Sequence, residues 1–111
     1  MEEKKALAEK RCIPCEGDVS KLGRADIDRL LKQIDGWEES DERISKEFTF
    51  KNFLRTMAFV NAVAWVALRE NHHPDLQVGY NRCRVSYATH ASGGLTENDF
   101  ICAALVDKLM D

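Results

Sequence analysis

The sequence predicts an α+β fold: a single four-stranded antiparallel sheet with three helices on one face, in the order α-β-β-α-β-β-α. Two observations lead to this prediction. Apolar residues recur with the helical period in three segments and alternate with polar residues in the segments between them. The extended segments come in pairs between helices, which favours an antiparallel sheet, whereas a regular alternation of strand and helix would favour a parallel one.

The first helix is predicted in the segment RADIDRLLKQIDGW. Its apolar residues follow the i, i+3, i+4, i+7 spacing that places them on one helix face. They are Ile27, Leu30, Leu31 and Ile34. Gly36 is of the residue type that commonly follows the end of a helix.

Two strands are predicted next, a short one at residues 37–39 and a longer one in ERISKEFTF. In the longer strand Ile44 and Phe48 alternate with polar residues, which is typical of a strand buried on one side. Lys46 interrupts the apolar side, a pattern that is typical of a strand at a sheet edge.

The second helix is predicted in FLRTMAFVNAVAWVALREN, with Asn52 as its N-cap. Its middle has almost no charge, and its apolar residues cover more than one side. Because the sheet can cover only one side, we expect a second copy of the chain on another, in a homodimer or homotetramer. The contact is expected at this helix or at the sheet edge. A polar residue in place of Val63 is expected to shift the assembly if the helix is the contact, and to leave it unchanged if only the sheet edge is.

Two further strands and a helix complete the predicted domain. LQVGYN is predicted as a strand and turn, and RCRVSYATH as a strand with Val85 and Tyr87 on its buried side. His90 has the opposite phase, so it is expected on the sheet face that the helices leave open. Thr96 and Asp99 form the pattern of a capping box at the start of the last helix.

Length and charge limit the possible functions. The 111 residues are expected to form one domain at 21–111, preceded by a loosely ordered arm at 1–20. The formal net charge is 16 − 19 = −3, which argues against a nucleic-acid partner. No apolar run approaches the roughly 18 residues that span a bilayer, and the N-terminus lacks the apolar stretch of a signal peptide. We therefore expect a cytoplasmic protein without a membrane partner.

The four cysteines do not form a recognisable metal motif. Cys12 and Cys15 form a CIPC pair, while Cys83 and Cys102 lie separately inside predicted elements. A structural zinc site usually combines two close pairs, and a redox CxxC usually follows a strand, so neither is indicated. We interpret the CIPC pair as incidental to the fold.

The stretch ENHHPD, residues 70–75, indicates a possible catalytic site. Pro74 cannot continue a helix, so His72 and His73 are expected where the second helix gives way to the third strand. If the third and fourth strands pair as a hairpin, His90 returns beside them. Three imidazoles in one pocket suit general acid–base chemistry near neutral pH. A three-histidine zinc site is the alternative, but adjacent residues of an extended segment point apart and would share one metal poorly.

Four motifs resemble the pterin-4a-carbinolamine dehydratase family. They are HHPD at 72–75, GYNRCRV at 79–85, TH at 89–90 and GGLTENDF at 93–100. The resemblance extends from about Ile27 to the C-terminus and includes the Gly-Trp pair and FTFKNF. The CIPC pair is similar to that of bacterial members.

The resemblance implies dehydration of 4a-hydroxytetrahydropterin to quinonoid dihydropterin, in tetrahydrobiopterin recycling, without a cofactor or metal. It implies that His72 and His90 exchange protons with the pterin and that His73 positions it, the three together forming the catalytic set. The substrate-binding residues that it implies are His72, His73, Pro74, Thr89, His90, Ala91, Ser92 and Asp99.

The sequence departs from the family at two positions. Leu68 and Ala91 stand where members often have carboxylates, so the histidines are expected to lack a carboxylate nearby. Glu70 lies about 200° around the helix from residue 68 and is not expected to replace the first of them. These departures leave open that the protein is a catalytically silent relative. A function as a protein-binding dimerisation cofactor also stays open, because family members resemble such a cofactor of a homeodomain transcription factor.

Overall fold

The computed structural model describes residues 7–12 and 20–111. The main elements are α1 (Arg24–Leu31), β1 (Glu38–Ser40), β2 (Arg43–Thr49), α2 (Phe53–Glu70), β3 (Asp75–Val78), β4 (Arg82–Tyr87) and α3 (Glu97–Lys108). A short 3₁₀ turn at His90–Ser92 and a helical turn at residues 7–9 are additional. The predicted fold class and the order α-β-β-α-β-β-α are confirmed.

The four strands form one antiparallel sheet in the order β1-β2-β4-β3. β2 therefore lies inside the sheet, and its predicted place at an edge is wrong. Lys46 does not mark an edge, because its ammonium group donates to the Asp107 carboxylate at 3.0 Å and to the Asp35 carbonyl at 2.9 Å. The charge on the apolar side of β2 is thus balanced by α3.

The core lies between the helices and one face of the sheet. The predicted alternation holds in both central strands, because Ile44 and Phe48 of β2 and Val85 and Tyr87 of β4 are buried. The helices contribute a matching set of buried apolar side chains: Ile27, Leu30, Phe59, Val63, Val66, Phe100, Ile101 and Val106.

α1 ends at Leu31, earlier than the apolar spacing predicts. The following residues turn, and Gly36 has a φ of +86°, which a residue without a Cβ adopts at little cost. The turn still leaves Ile34 buried, and Trp37 enters the core with its indole N–H donating to Asp107.

β4 ends at Tyr87 and does not reach His90 as predicted. Thr89 makes an isolated bridge to Gly94, and its carbonyl accepts from the N–H of Ser92 at 3.1 Å. Gly93, at a φ of +76°, reverses the chain. His90 consequently lies exposed in a turn beyond the sheet and not on its open face.

α2 has one buried stripe and one exposed apolar stripe. Asn52 caps it as predicted, accepting from the Arg55 N–H at 3.0 Å. Its outward stripe, the α2 outer face, consists of Leu54, Ala58, Asn61, Trp65 and Leu68. Val63 is fully buried in the chain's own core, so the expectation that it would report on assembly is wrong. Along the described part of the chain, none of the helices combines the length and hydropathy needed to cross a bilayer.

Candidate active site

The junction between α2 and β3 fixes the two adjacent histidines. Asn71, with a φ of 55°, ends α2 in the left-handed conformation, and the His72 N–H donates to the Ala67 carbonyl at 3.2 Å. The chain then becomes extended towards Pro74. As a result His72 is buried and His73 is exposed, pointing apart as adjacent residues of an extended segment do.

The His72 ring is held by a buried carboxylate. Its Nε2 atom donates to Oδ1 of Asp99 at 2.6 Å, and the two residues are 8% and 0% exposed. The ring also stacks on Tyr87, with centroids 5.7 Å apart and planes 14° from parallel. A short, buried hydrogen bond between an imidazole and a carboxylate fixes the ring orientation strongly.

The same carboxylate caps α3. Its Oδ2 atom accepts from the Thr96 N–H at 3.0 Å, which completes the predicted capping box, and from the Thr89 hydroxyl at 2.8 Å. The Thr89 and Thr96 hydroxyls lie 2.9 Å apart. The N-terminus of a helix also favours a negative charge at this position. Asp99 therefore joins His72, the turn after β4 and the start of α3 in one network.

The expectation that the histidines lack a nearby carboxylate is wrong for His72, because Asp99 provides one from α3. Leu68 lies on the α2 outer face and is 71% exposed. Glu70 is buried but points to the N-terminal segment, residues 7–12, where it accepts from the Arg11 guanidinium at 2.9 Å and from the Cys12 N–H at 2.8 Å. Glu70 therefore does not replace the carboxylate that is absent at position 68, and this agrees with the prediction from its angle around the helix.

A cleft of about 210 Å³ brings the three histidines together. It is lined by Asn71, His72, His73, Ala88, Thr89, His90 and Ala91. The β3–β4 pairing produces this arrangement, since Asp75 lies opposite Ser86 and the two strand ends meet. Two of the other predicted site residues, Pro74 and Ser92, follow lining residues directly in the sequence. The third, Asp99, does not line the cleft but is hydrogen-bonded to the His72 ring.

His73 and His90 are the exposed histidines of the cleft. The His73 ring donates from Nδ1 to the Pro74 carbonyl at 3.2 Å, which restrains it at the mouth. His90 also borders a second hollow of about 180 Å³, which lies between the β1–β2 turn and the glycines at 93 and 94. Within residues 7–12 and 20–111, no three His, Cys, Asp or Glu side chains are grouped so as to hold a metal ion.

Comparisons with known proteins identify the family. The family model described as pterin 4 alpha carbinolamine dehydratase matches residues 20–109. A Nitrosomonas eutropha protein, provisionally named pterin-4-alpha-carbinolamine dehydratase, is 61% identical over 105 residues, which are 94% of this chain and 93% of that protein.

Solved structures agree with this match. A Brucella melitensis protein described as a transcriptional coactivator/pterin dehydratase superposes with a TM-score of 0.79 at 32% identity, over 83% of this chain and all of that one. A pterin dehydratase-like protein identified as a RuBisCO assembly factor in the alpha-carboxysome shares only the fold, at 24% identity and a TM-score of 0.55, over 66% of this chain and 84% of that one. The extent of the family match and the similarity of the Nitrosomonas relative show that the chain belongs to the pterin-4-alpha-carbinolamine dehydratase family.

Proposed function

We propose that this protein is a 4a-hydroxytetrahydropterin dehydratase that releases quinonoid dihydropterin and water, in tetrahydrobiopterin recycling. The observation that carries the proposal is a single cleft with three histidines, one of them held by a buried carboxylate. Family membership supports the pterin as substrate.

The reaction needs one acid and one base. The bond between C4a and the hydroxyl oxygen breaks, a proton joins that oxygen, and a second proton leaves a pterin ring nitrogen. No electrons pass to a redox partner, and no covalent intermediate with the protein is required. Two imidazoles in opposite protonation states therefore supply the chemistry, since imidazole gains and loses protons near neutral pH.

The surroundings of the histidines divide these tasks between them. The Asp99 carboxylate, 2.6 Å from His72 Nε2, is placed to stabilise the positive charge that His72 gains as the base. His90 is exposed, so as the acid it would release water directly to solvent. Asp99 then acts as a positioning residue through His72.

The remaining predicted site residues would hold the flat ring. His73 lies at the mouth of the cleft, restrained by the Pro74 carbonyl. Thr89 uses its hydroxyl for Asp99, so its contribution to substrate binding would come from its backbone, as for Ala91 and Ser92.

A rate comparison tests the proposal. Freshly generated 4a-hydroxytetrahydropterin loses water unaided, so the rate with protein is compared with the rate without it, each with and without a chelator. We expect acceleration that is unchanged by the chelator. If chelation abolishes the acceleration and zinc restores it, histidine acid–base catalysis is not the mechanism.

A protein-binding function is the second candidate, and the α2 outer face favours it. Leu54, Trp65 and Leu68 are exposed there, and the Brucella relative is described as a coactivator as well as a dehydratase. This function could coexist with catalysis. If the purified protein binds a protein partner but does not accelerate dehydration, this result would support the protein-binding function over the enzymatic one.

We place the activity in the cytoplasm. Cys12, Cys83 and Cys102 are free thiols, which suits a reducing compartment.

A further inference from the structure

Two cysteines that the proposed mechanism does not use lie in contact. The Sγ atoms of Cys12 and Cys102 are 3.6 Å apart, although 90 positions separate the residues in the chain. The sequence pairs Cys12 with Cys15 in the CIPC motif, but Cys15 lies outside the described residues. The structure therefore gives Cys12 a thiol neighbour on α3 that the motif does not reveal.

The N-terminal segment holds Cys12 in this position. Leu7 is buried in the core, and the Cys12 N–H and the Arg11 guanidinium both donate to the buried Glu70 carboxylate. Two charge-assisted hydrogen bonds to a buried acceptor favour a defined docking of the segment. The contact between the thiols thus follows from anchors at Cys12 and on its N-terminal side.

We propose that Cys12 and Cys102 form an oxidation site, at which a peroxide produces a reversible disulfide between the N-terminal segment and α3. The sulfur atoms need to approach by about 1.5 Å to reach the disulfide bond length of about 2.05 Å. Because α3 is packed in the core, we expect the terminal segment to make this movement. Cys12 is half-buried and Cys102 fully buried, so the oxidant reaches Cys12 first.

The reaction is balanced in two steps. The Cys12 sulfur attacks one peroxide oxygen, the O–O bond breaks, and a sulfenic acid and one water form from the thiol and hydrogen peroxide. The Cys102 sulfur then attacks the Cys12 sulfur, the S–O bond breaks, and the second water leaves with the Cys102 proton. Two thiols are oxidised and one peroxide is reduced.

The environment of Cys102 fits its role as the second, resolving thiol. The hydrogen bond to Cys12 and burial raise the pKa of the Cys102 thiol, which makes Cys102 the less reactive of the two towards the oxidant and leaves Cys12 to react first. Cys102 also lies one helical turn after Asp99, the residue that holds His72. The cross-link would therefore fix the N-terminal segment against the helix that supports the candidate active site.

Mass spectrometry of the full-length protein tests the site. The reduced protein is treated with a small excess of hydrogen peroxide, alkylated, and digested with trypsin without reductant. We expect a linked pair of peptides, residues 12–21 with residues 85–108, which a thiol reductant separates. Because the bond closes a long loop, the melting temperature of the oxidised protein should rise by roughly 10 °C.

Cysteine variants identify the bonded atoms. Cys15→Ser is the matched control and should keep the cross-link and the rise in melting temperature, whereas Cys12→Ser should lose both. Cys12→Ser changes a half-buried residue of the terminal segment, so it tests the site without creating a cavity in the core. A disulfide between Cys12 and Cys15, or overoxidation of Cys12 without any link to Cys102, would overturn the proposal.

Discussion

The Asp99 carboxylate accepts three hydrogen bonds from different parts of the chain. The donors are the His72 ring, the Thr89 hydroxyl and the Thr96 N–H. A buried carboxylate costs several kcal/mol unless it is bonded in this way. The network therefore both stabilises the start of α3 and fixes the ring that faces the cleft.

The three histidines should differ in their kinetic effects. His72→Ala and His90→Ala should each lower kcat by about a hundredfold to ten-thousandfold, because each removes an acid–base group. His73→Ala should mainly raise KM, because a positioning contact is equally good in the ground and transition states. Steady-state kinetics of the three variants, with the His72/His90 double variant expected to be the slowest, make the comparison. Wild-type kcat in the double variant would refute the catalytic assignment.

Asp99→Asn separates positioning from capping. Asparagine keeps the shape and can still accept from the Thr96 N–H, but it removes the charge beside His72. Steady-state kinetics should show a fall in kcat of about a hundredfold.

Thr96→Ala is the matched control for the Asp99 variant. It weakens the same cap, at a cost of about 1 kcal/mol in the free energy of unfolding, but leaves the carboxylate in place. Its kcat should stay near that of the wild type. Equal losses of kcat in the two variants would mean that Asp99 matters only for the fold.

At the scale of the elements, α2 is the helix with the clearest unpartnered surface. Leu54 is 78% exposed and Trp65 58% exposed, on a helix whose opposite stripe is buried in the core. Large exposed apolar side chains that lie in a row along one face mark an interface more often than a free surface.

We predict that the chain forms a homodimer or homotetramer through the α2 outer face. Trp65→Glu should reduce the mass measured by light scattering at micromolar concentration. It should change the free energy of unfolding of the monomer by only about 0.5 kcal/mol, because the side chain is not part of the core. Lys32→Glu, an exposed charge change at the end of α1, should leave the assembly intact. A wild-type monomer at that concentration would contradict the prediction, and an unchanged mass for Trp65→Glu would move the interface elsewhere.

At the scale of the whole molecule, Tyr87 makes the free energy of unfolding depend on pH in the alkaline range. Burial raises the pKa of its phenol well above the ordinary value of 10.0, and the thiols of Cys102 and Cys12 raise it further. Since the folded protein keeps this proton more tightly than the unfolded chain, the contribution of Tyr87 to stability is complete below pH 10. It is lost progressively as the pH rises further.

Tyr87→Phe should remove the part of the alkaline pH dependence that comes from the Tyr87 phenol. The Tyr87 hydroxyl is buried without a hydrogen-bond partner among the described residues. The free energy of unfolding of the Tyr87→Phe variant should therefore lie within about 1 kcal/mol of that of the wild type at pH 7. Above pH 10 the wild type should lose stability faster than the variant, by up to about 1.4 kcal/mol per pH unit. Urea unfolding at pH 8 and pH 11 measures the difference. Parallel losses in the two proteins would show that Tyr87 does not titrate on unfolding.

The sequence determined the features that depend on neighbouring residues. Apolar periodicity defined the helices and strands, Asn52 and Thr96 supplied predictable caps, and Pro74 located the histidine pair at the end of a helix. Pairing of β3 with β4 followed from the order of the elements, and with it the approach of His90 to His72 and His73. These inferences succeed because backbone geometry repeats over a few residues.

Only the tertiary structure decided which distant groups meet. Lys46 indicated an edge strand by itself, but its charge is balanced by Asp107, 61 positions away. The partner of His72 is Asp99, 27 positions away, while Glu70, only two positions away, points to the N-terminal segment. Cys12 lies in contact with Cys102, 90 positions away, a neighbour that its CIPC motif does not reveal. Such pairings depend on how α3 and the N-terminal segment pack against the rest of the chain. A buried charge or thiol contacts the group that this packing places next to it, however far away that group lies in the sequence.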